Sequence, residues 1–463
     1  MKLRFLDLNF FADSYHFQQY EFHDMDVFVV QGGHPLSGTV SVSGSKNASL
    51  PMMAATLLSK GKSTLNNVPD LVDVRTLSAL LRCLGCEVTR EPSSALSIQV
   101  IDEEHSKAEY DLVRRMRASV CVLGPLLARR GSARVSLPGG CNIGHRPIDI
   151  HLRGFEALGA TVTIEKGDIV VRSSRLVGNE IDLNGPNGST VLGTCNLMSA
   201  AVLAEGNTVL HSAAREPEII ALGDYLNAMG AQVSGHGTST IQIEGVDELH
   251  GAEANVIPDR IEAATLIIAA AITRSSIQIK NIETHHLNHV IQKLNGIGVV
   301  ISKQDHSTII VDATNRLLPT NLHALPYPET PTDVQAQLTA LLSTIPGESV
   351  VRDSVFPDRF MHCAELNRMN ASIRQQGDSA HISGVQQLHG AHVMASDLRA
   401  SAALVLAALV ANGESVIHRI YHLDRGYEAL ETKLNSLGAQ IIRCSEERLL
   451  NRKNHELQIR KSA

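Results

Sequence analysis

The sequence predicts an α/β protein made of six copies of one unit, gathered into two globular domains of three units each. Two observations carry this expectation. A hydrophobic residue followed by glycine or asparagine recurs at Gly85, Gly159, Gly230, Gly298, Asn370 and Gly438, at separations of 68 to 74 residues. Each of these positions closes a helical stretch and precedes an alternating strand, and Gly or Asn there suits a left-handed helix C-cap. Each unit also holds a second helix rich in alanine and leucine on nearly all faces, which reads as buried rather than amphipathic. The period exceeds that of the common solenoid repeats, so globular domains are expected rather than an open stack.

The elements follow in order. Residues 26–31 continue Met25 as a first strand, Asp-Val-Phe-Val-Val-Gln. Alanine-rich helices are expected over 47–58, 117–128, 261–272 and 398–410, each running into a polar turn and a short strand such as Gly413-Glu414-Ser415-Val416-Ile417. Strands are expected over 161–164 and 241–243, after the glycine caps. The first 24 residues hold seven of the sixteen Phe and Tyr residues without a signal-peptide pattern. They read as an extended or misassigned start, with an accessory arm as the rival. Residues 448–463 read as a tail.

Bulk properties narrow the function classes. A chain of 463 residues is long enough for two or three domains. Its net charge of −7 supplies no global basic field, so no nucleic-acid partner is expected. No uncharged apolar run approaches the ~20 residues of a membrane span. The seven cysteines are odd in number and scattered, which suits a reducing cytoplasm. Cys83 and Cys86 form a lone C-x-x-C pair, read as a helix end because no second pair completes a zinc site. No metal cluster or cofactor is expected.

Two features carry chemistry. Cys141 lies in Pro138-Gly139-Gly140-Cys141-Asn142-Ile143-Gly144-His145-Arg146-Pro147. Pro-Gly-Gly cannot continue a helix or central strand, so the thiol rides on a loop, where His145 and Arg146 could lower its pKa. The starts of the alanine-rich helices form the second feature: Ser45-Lys46-Asn47, Arg117-Ala118-Ser119, Asn187-Gly188-Ser189-Thr190, Asp259-Arg260, Thr332-Asp333 and Asp397-Leu398-Arg399. Ser, Thr, Asp and Asn suit N-caps, but basic residues there oppose the helix dipole. They make sense if an anion binds at the helix starts.

These segments together resemble the UDP-N-acetylglucosamine enolpyruvyl transferases of the EPSP synthase family. The resemblance runs from about Met25 to Cys444 and includes Ala214-Arg215-Glu216-Pro217-Glu218, Pro258-Asp259-Arg260-Ile261-Glu262, Asp358-Arg359-Phe360 and Tyr421-His422-Leu423-Asp424-Arg425. It implies an inside-out α/β barrel of two domains, each three β-α-β-α-β-β units. Residues 25–45 with 258–447 would form the first domain and 46–257 the second, with crossovers near Lys46 and Pro258.

The implied reaction moves the enolpyruvyl group of phosphoenolpyruvate to the 3-hydroxyl of UDP-N-acetylglucosamine by addition and elimination, releasing phosphate. It is the first committed step of peptidoglycan synthesis. Asp333 matches the family's base, and Cys141 its acid and covalent trap. Lys46, Arg146 and Arg425 match the phosphate clamp, with Arg117 and Arg399 further cations around phosphoenolpyruvate. Asn47 and Asp397 match groups holding the sugar and the intermediate. Arg146, Pro147, Ile148, Asp149 and Ile150 match the uracil and phosphate segment; Asn187, Gly188, Val355 and Arg359 complete the expected substrate contacts. Simpler roles compete: Lys46 as an exposed lysine, Asp333 as an N-cap, Arg359 and Arg425 as domain-packing ion pairs, and Asp397 as a group that orients Arg399 or Arg425.

One departure stands out. Asn184 and Pro186 occupy the places where many members carry a lysine and a serine against the UDP phosphates. They motivate a runner-up, a paralogue acting on another nucleotide such as UMP. A non-catalytic sensor fits poorly, because Lys46, Cys141, Asp333 and Arg425 are all present.

Overall fold

The computed structural model describes residues 26–137, 148–186 and 188–451. The six positions expected to cap helices all have positive φ, between 74° and 115°. At Gly85 the requirement is double, because a Cβ there would also lie 2.0 Å from the Asp102 carbonyl oxygen. Each cap leads directly into a strand, as Gly159 leads into Thr161–Glu165 and Gly438 into Gln440–Ser445.

The two helix types separate as their composition requires. The capped helices are Val72–Cys83, Asp149–Ala157, Pro217–Ala228, Asn288–Ile297, Met361–Arg368 and Leu430–Ser436. Cys83 ends the first of them, and Cys86 starts the next strand. The alanine-rich helices are Lys46–Ala55, Leu123–Arg130, Val191–Ala201, Arg260–Ile272, Gln335–Leu342 and Leu398–Val410. Every residue of Arg260–Ile272 is buried, and in Leu398–Val410 only Val410 is not. Alanine lets such helices approach closely, so each can be surrounded by others.

Among the described residues, six four-stranded sheets share one plan: an edge strand parallel to its neighbour, then two antiparallel pairings. Lys107–Ala108, Ser132–Ser136, Asp168–Arg172 and Thr161–Glu165 are one example in spatial order. Two edge strands are exchanged. Thr39–Ser41 pairs with Ser276–Lys280, whereas Glu253–Asn255 pairs with Ser63–Asn66. The two chain segments cross at a bridge between Gly44 and Pro258. A Cβ on Gly44 would lie 1.7 Å from the Asn67 carbonyl oxygen, so this close crossing needs glycine. Strand Asp26–Gln31 lies between Glu414–His418 and Gln440–Ser445, so the start of the described chain completes the last sheet.

Two large clusters of buried apolar side chains result. One draws on residues 28–42 and 261–441, the other on residues 48–256. Among the described residues no helix is long and apolar enough to cross a membrane.

Candidate active site

Four of the alanine-rich helices start with a side-chain cap. Ser45, Thr190, Asp259 and Asp397 accept hydrogen bonds from the first-turn backbone N–H groups. The other two are preceded by 3-10 turns, Arg117–Val122 and Thr332–Val334, without a side-chain cap. Asp333 is therefore not an N-cap. Arg359 Nη1 donates to its Oδ1 at 2.8 Å, and Arg399 Nη2 donates to its Oδ2 at 3.0 Å. Burial pushes the Asp333 carboxyl up, but Arg399 and Arg359 outweigh it and hold the group well below the usual carboxylate range.

The cations around Asp333 are under-partnered. Arg399 is 1% exposed and its guanidinium lies over the Tyr427 ring, 5.3 Å from the centroid. Arg399 Nε and Nη1 and Arg359 Nε are buried without a hydrogen-bond partner. Buried guanidinium N–H groups cost free energy unless something accepts from them, so the arrangement calls for an anion. Asp397 caps the helix that carries Arg399, accepting from the Arg399 backbone N–H at 2.9 Å. It also lies 4.0 Å from Arg359, so it positions both arginines. His362 and His422 stand nearby, each pushed down to about 4 chiefly by burial, and are neutral at pH 7.

Lys46 and Arg425 meet across the two apolar clusters on a residue the sequence reading did not select. Asp73 is 3% exposed; Arg425 Nε donates to its Oδ1 at 2.9 Å, and Lys46 Nζ lies 3.5 Å from its Oδ2. Lys46 is thus neither exposed nor unpaired. Burial lowers its pKa; Asp73 opposes this, and the charges of Arg399 and Arg425 add to it. Arg399, Arg425 and Asp333 all act electrostatically on Lys46, so the four charged groups lie near one another. Asn47, half-buried, follows Lys46 in the same helical turn. Asp73 sits in the first turn of its helix, where an acid is ordinary, so nothing local marked it.

The loop after strand Gly347–Asp353 completes this side. Buried Asp353 accepts from the N–H groups of Val355 and Phe356 at 3.0 and 2.8 Å and from Thr332 Oγ1 at 2.6 Å. Val355 is thereby fixed beside the turn that bears Asp333. Thr332 also accepts from Arg359 Nη1 at 3.2 Å.

A second group of expected residues lies along the 48–256 cluster. Arg117 opens its 3-10 turn and Ile148 precedes helix Asp149–Ala157. His151 and Asn196 tie the two together, with His151 Nδ1 3.0 Å from Asn196 Nδ2 and Asn196 also donating to the Val120 carbonyl. Burial, assisted by Arg117, pushes His151 down to about 3, so it is neutral. Gly188 has φ +93° and pairs with Gly185 in a short hairpin that includes Asn184. Cβ atoms on Gly185 and Gly188 would lie 2.8 Å from Ile150 Cδ1 and 3.0 Å from Pro326 Cγ. The hairpin therefore fits closely between Ile150 and the loop leading to Asp333. Asp149 is exposed and lies 3.7 Å from Arg153. Cys141, His145, Arg146, Pro147 and Asn187 lie outside the described residues.

Residues 30–434 match the family model of EPSP synthase (3-phosphoshikimate 1-carboxyvinyltransferase). The chain is 51% identical to a UDP-N-acetylglucosamine 1-carboxyvinyltransferase of Desulforapulum autotrophicum, over 90% of this chain and 100% of that one. It is 49% identical to UDP-N-acetylglucosamine 1-carboxyvinyltransferase 2 of Carboxydothermus hydrogenoformans, over 91% of this chain and 100% of that one. The fold is also similar to that of the enolpyruvyl transferase NikO from Streptomyces tendae. That match has a TM-score of 0.83 at 24% identity and covers 91% of this chain and 99% of that one. The chain belongs to the EPSP synthase family, with the UDP-N-acetylglucosamine 1-carboxyvinyltransferases among its relatives.

Proposed function

We propose that this chain transfers the enolpyruvyl group of phosphoenolpyruvate to the 3-hydroxyl of UDP-N-acetylglucosamine and releases phosphate. The observation that carries the reading is about 50% identity to enzymes of that name over their full length. The under-partnered cations at Asp333 support it, because phosphoenolpyruvate brings a carboxylate and a phosphate to a place short of anions. The acceptor oxygen adds to C2 of phosphoenolpyruvate while C3 takes a proton. Loss of phosphate from C2 and of a proton from C3 then restores the double bond.

In this reading Lys46, Arg425 and Arg146 hold the phosphate, and Arg399 and Arg117 add positive charge around phosphoenolpyruvate. Their guanidinium and ammonium groups stabilise charge that grows on the departing phosphate. Asp333 takes the hydroxyl proton. Its two arginines make it a weak base as it stands, and turning them toward the substrate anion raises its proton affinity when the proton must move. Cys141 delivers the proton to C3. Asn47 and Asp397 hold the sugar and intermediate. Ile148, Asp149, Ile150, Pro147, Asn187, Gly188, Val355 and Arg359 complete the substrate contacts. The two apolar clusters are the cores of two domains, residues 25–45 with 258–447 and residues 46–257. Each domain is three units wound as an inside-out barrel around its alanine-rich helices. The cleft between them admits the substrates, and the product enters peptidoglycan synthesis in the cytoplasm.

Turnover with phosphoenolpyruvate and either UDP-N-acetylglucosamine or UMP tests the acceptor. The sugar nucleotide is expected to yield phosphate and an enolpyruvyl product. Activity with UMP alone would overturn the assignment.

A further inference from the structure

We infer that Glu283, His285 and His286 form a binding site for a divalent transition-metal ion of the zinc class, separate from the anion cleft. Glu283 precedes the 3-10 turn Thr284–Leu287, which carries both histidines and leads into helix Asn288–Ile297. A single carboxylate oxygen, Glu283 Oε2, lies 3.4 Å from His285 Nε2 and 3.3 Å from His286 Nε2. One donor atom from each of the three residues lies within 4.8 Å of the others. A tetrahedral ion with bonds of about 2.0 to 2.1 Å separates its ligands by about 3.3 to 3.4 Å. The two contacts to Glu283 have that spacing. Two imidazoles and a carboxylate, with water in a fourth position, form a donor set that zinc, cobalt and nickel accept.

The ordinary reading is a pair of surface ion contacts, but one carboxylate oxygen lies at nearly equal distance from two imidazole nitrogens, as an ion between the three would require. The His286 side chain is 7% exposed, so packing holds its Nε2 edge toward Glu283. The rings of His285 and His286 lie 4.2 Å apart at 59° to one another, so they are tilted rather than stacked flat. His285 and Glu283, 67% and 38% exposed, leave the site open to an ion from solvent. His289 Nδ1 is 2.9 Å from Glu329, so it belongs to a neighbouring contact. Arg260, a nearby cation, is 2.9 Å from Glu218 and its charge is balanced there. A bound ion would fix the turn that starts helix Asn288–Ile297.

The test is a Zn²⁺ titration of the full chain against a chromophoric chelator, with Co²⁺ spectra in parallel, for wild type, His285→Ala and Glu283→Gln. Both altered side chains are more than a third exposed, so the fold does not depend on them. Each substitution is expected to weaken the site by more than about tenfold. Cobalt is expected to give the visible bands of a tetrahedral nitrogen and oxygen site without a thiolate charge-transfer band. Absence of uptake, equal affinity in all three proteins, or a thiolate band that carries the binding to cysteine would overturn the inference.

Discussion

Two buried ionic networks differ in one respect that separates joint from site. At the chain crossing, Glu262 accepts from the Ser43 N–H at 2.6 Å and also binds Lys433, which donates to Ser43 Oγ at 2.7 Å. Glu428 accepts from Ser43 Oγ at 2.5 Å and from the Asp70 N–H at 2.8 Å. Ser43, Glu262, Glu428 and Lys433 leave no buried side-chain polar atom unpartnered. At Asp333, two arginines share one carboxylate and three of their N–H-bearing atoms are buried without partners. The saturated network joins the two apolar clusters. The unsaturated one keeps buried cationic N–H groups without an acceptor. Saturation, more than burial or charge, distinguishes them.

The largest effect that could break this contrast belongs to Asp333→Asn. Removing the proposed base is expected to lower kcat by about 10²- to 10⁴-fold, measured as phosphate release at saturating substrate. A rate near wild type would remove Asp333 from the chemistry. Glu262→Gln should act in the opposite way. It leaves the half-buried Lys433 without its carboxylate partner and should destabilise the fold by about 3 kcal/mol in urea. The KM for phosphoenolpyruvate should hardly change. A tenfold rise in that KM, with little lost stability, would erase the distinction.

A pH titration sharpens the contrast. The folded-state pKa of Asp333 lies well below its ordinary 3.8, so its contribution to stability is present above pH 3.8. That contribution is lost as pH falls through the depressed folded value. The stability difference between wild type and Asp333→Asn should therefore stay level from pH 7 to about pH 4 and close below it. A gap that closes nearer pH 6 would contradict the arginine-held carboxylate. The smallest effect is expected at the second group of residues. Gly188→Ala places a Cβ at φ +93° and 3.0 Å from Pro326, costing about 1 kcal/mol of hairpin stability. It should raise the KM for the sugar nucleotide while sparing kcat.

The sequence made some of this legible because the cause was local. A glycine or asparagine cap can be read from its own neighbours, and all six took the left-handed conformation. Alanine on every helical face forecast burial in the same way. Crossovers near Lys46 and Pro258 came only from the family resemblance, and the exchange of edge strands there was not read at all, since nothing local requires it. Asp73 was missed for the same reason. Its position looks like an ordinary first-turn acid until the fold carries Arg425 across to it from 352 positions away. Capping was the simpler rival role for Asp333, but the 3-10 turn points its carboxylate at two arginines instead. Glu283, His285 and His286 raised no metal expectation, because the convergence of their donor atoms depends on the turn and not on a recognised spacing.

The central claim is that the unsaturated cations at Asp333 bind and activate phosphoenolpyruvate for transfer to a sugar nucleotide. The most direct measurement follows free phosphate and enolpyruvyl-UDP-N-acetylglucosamine in the same reaction, for wild type and Asp333→Asn. The account predicts equal amounts of the two products from wild type, formed at least about a hundredfold faster than from the variant. Folded wild-type protein that forms neither product, or a variant that keeps pace with it, would contradict the account.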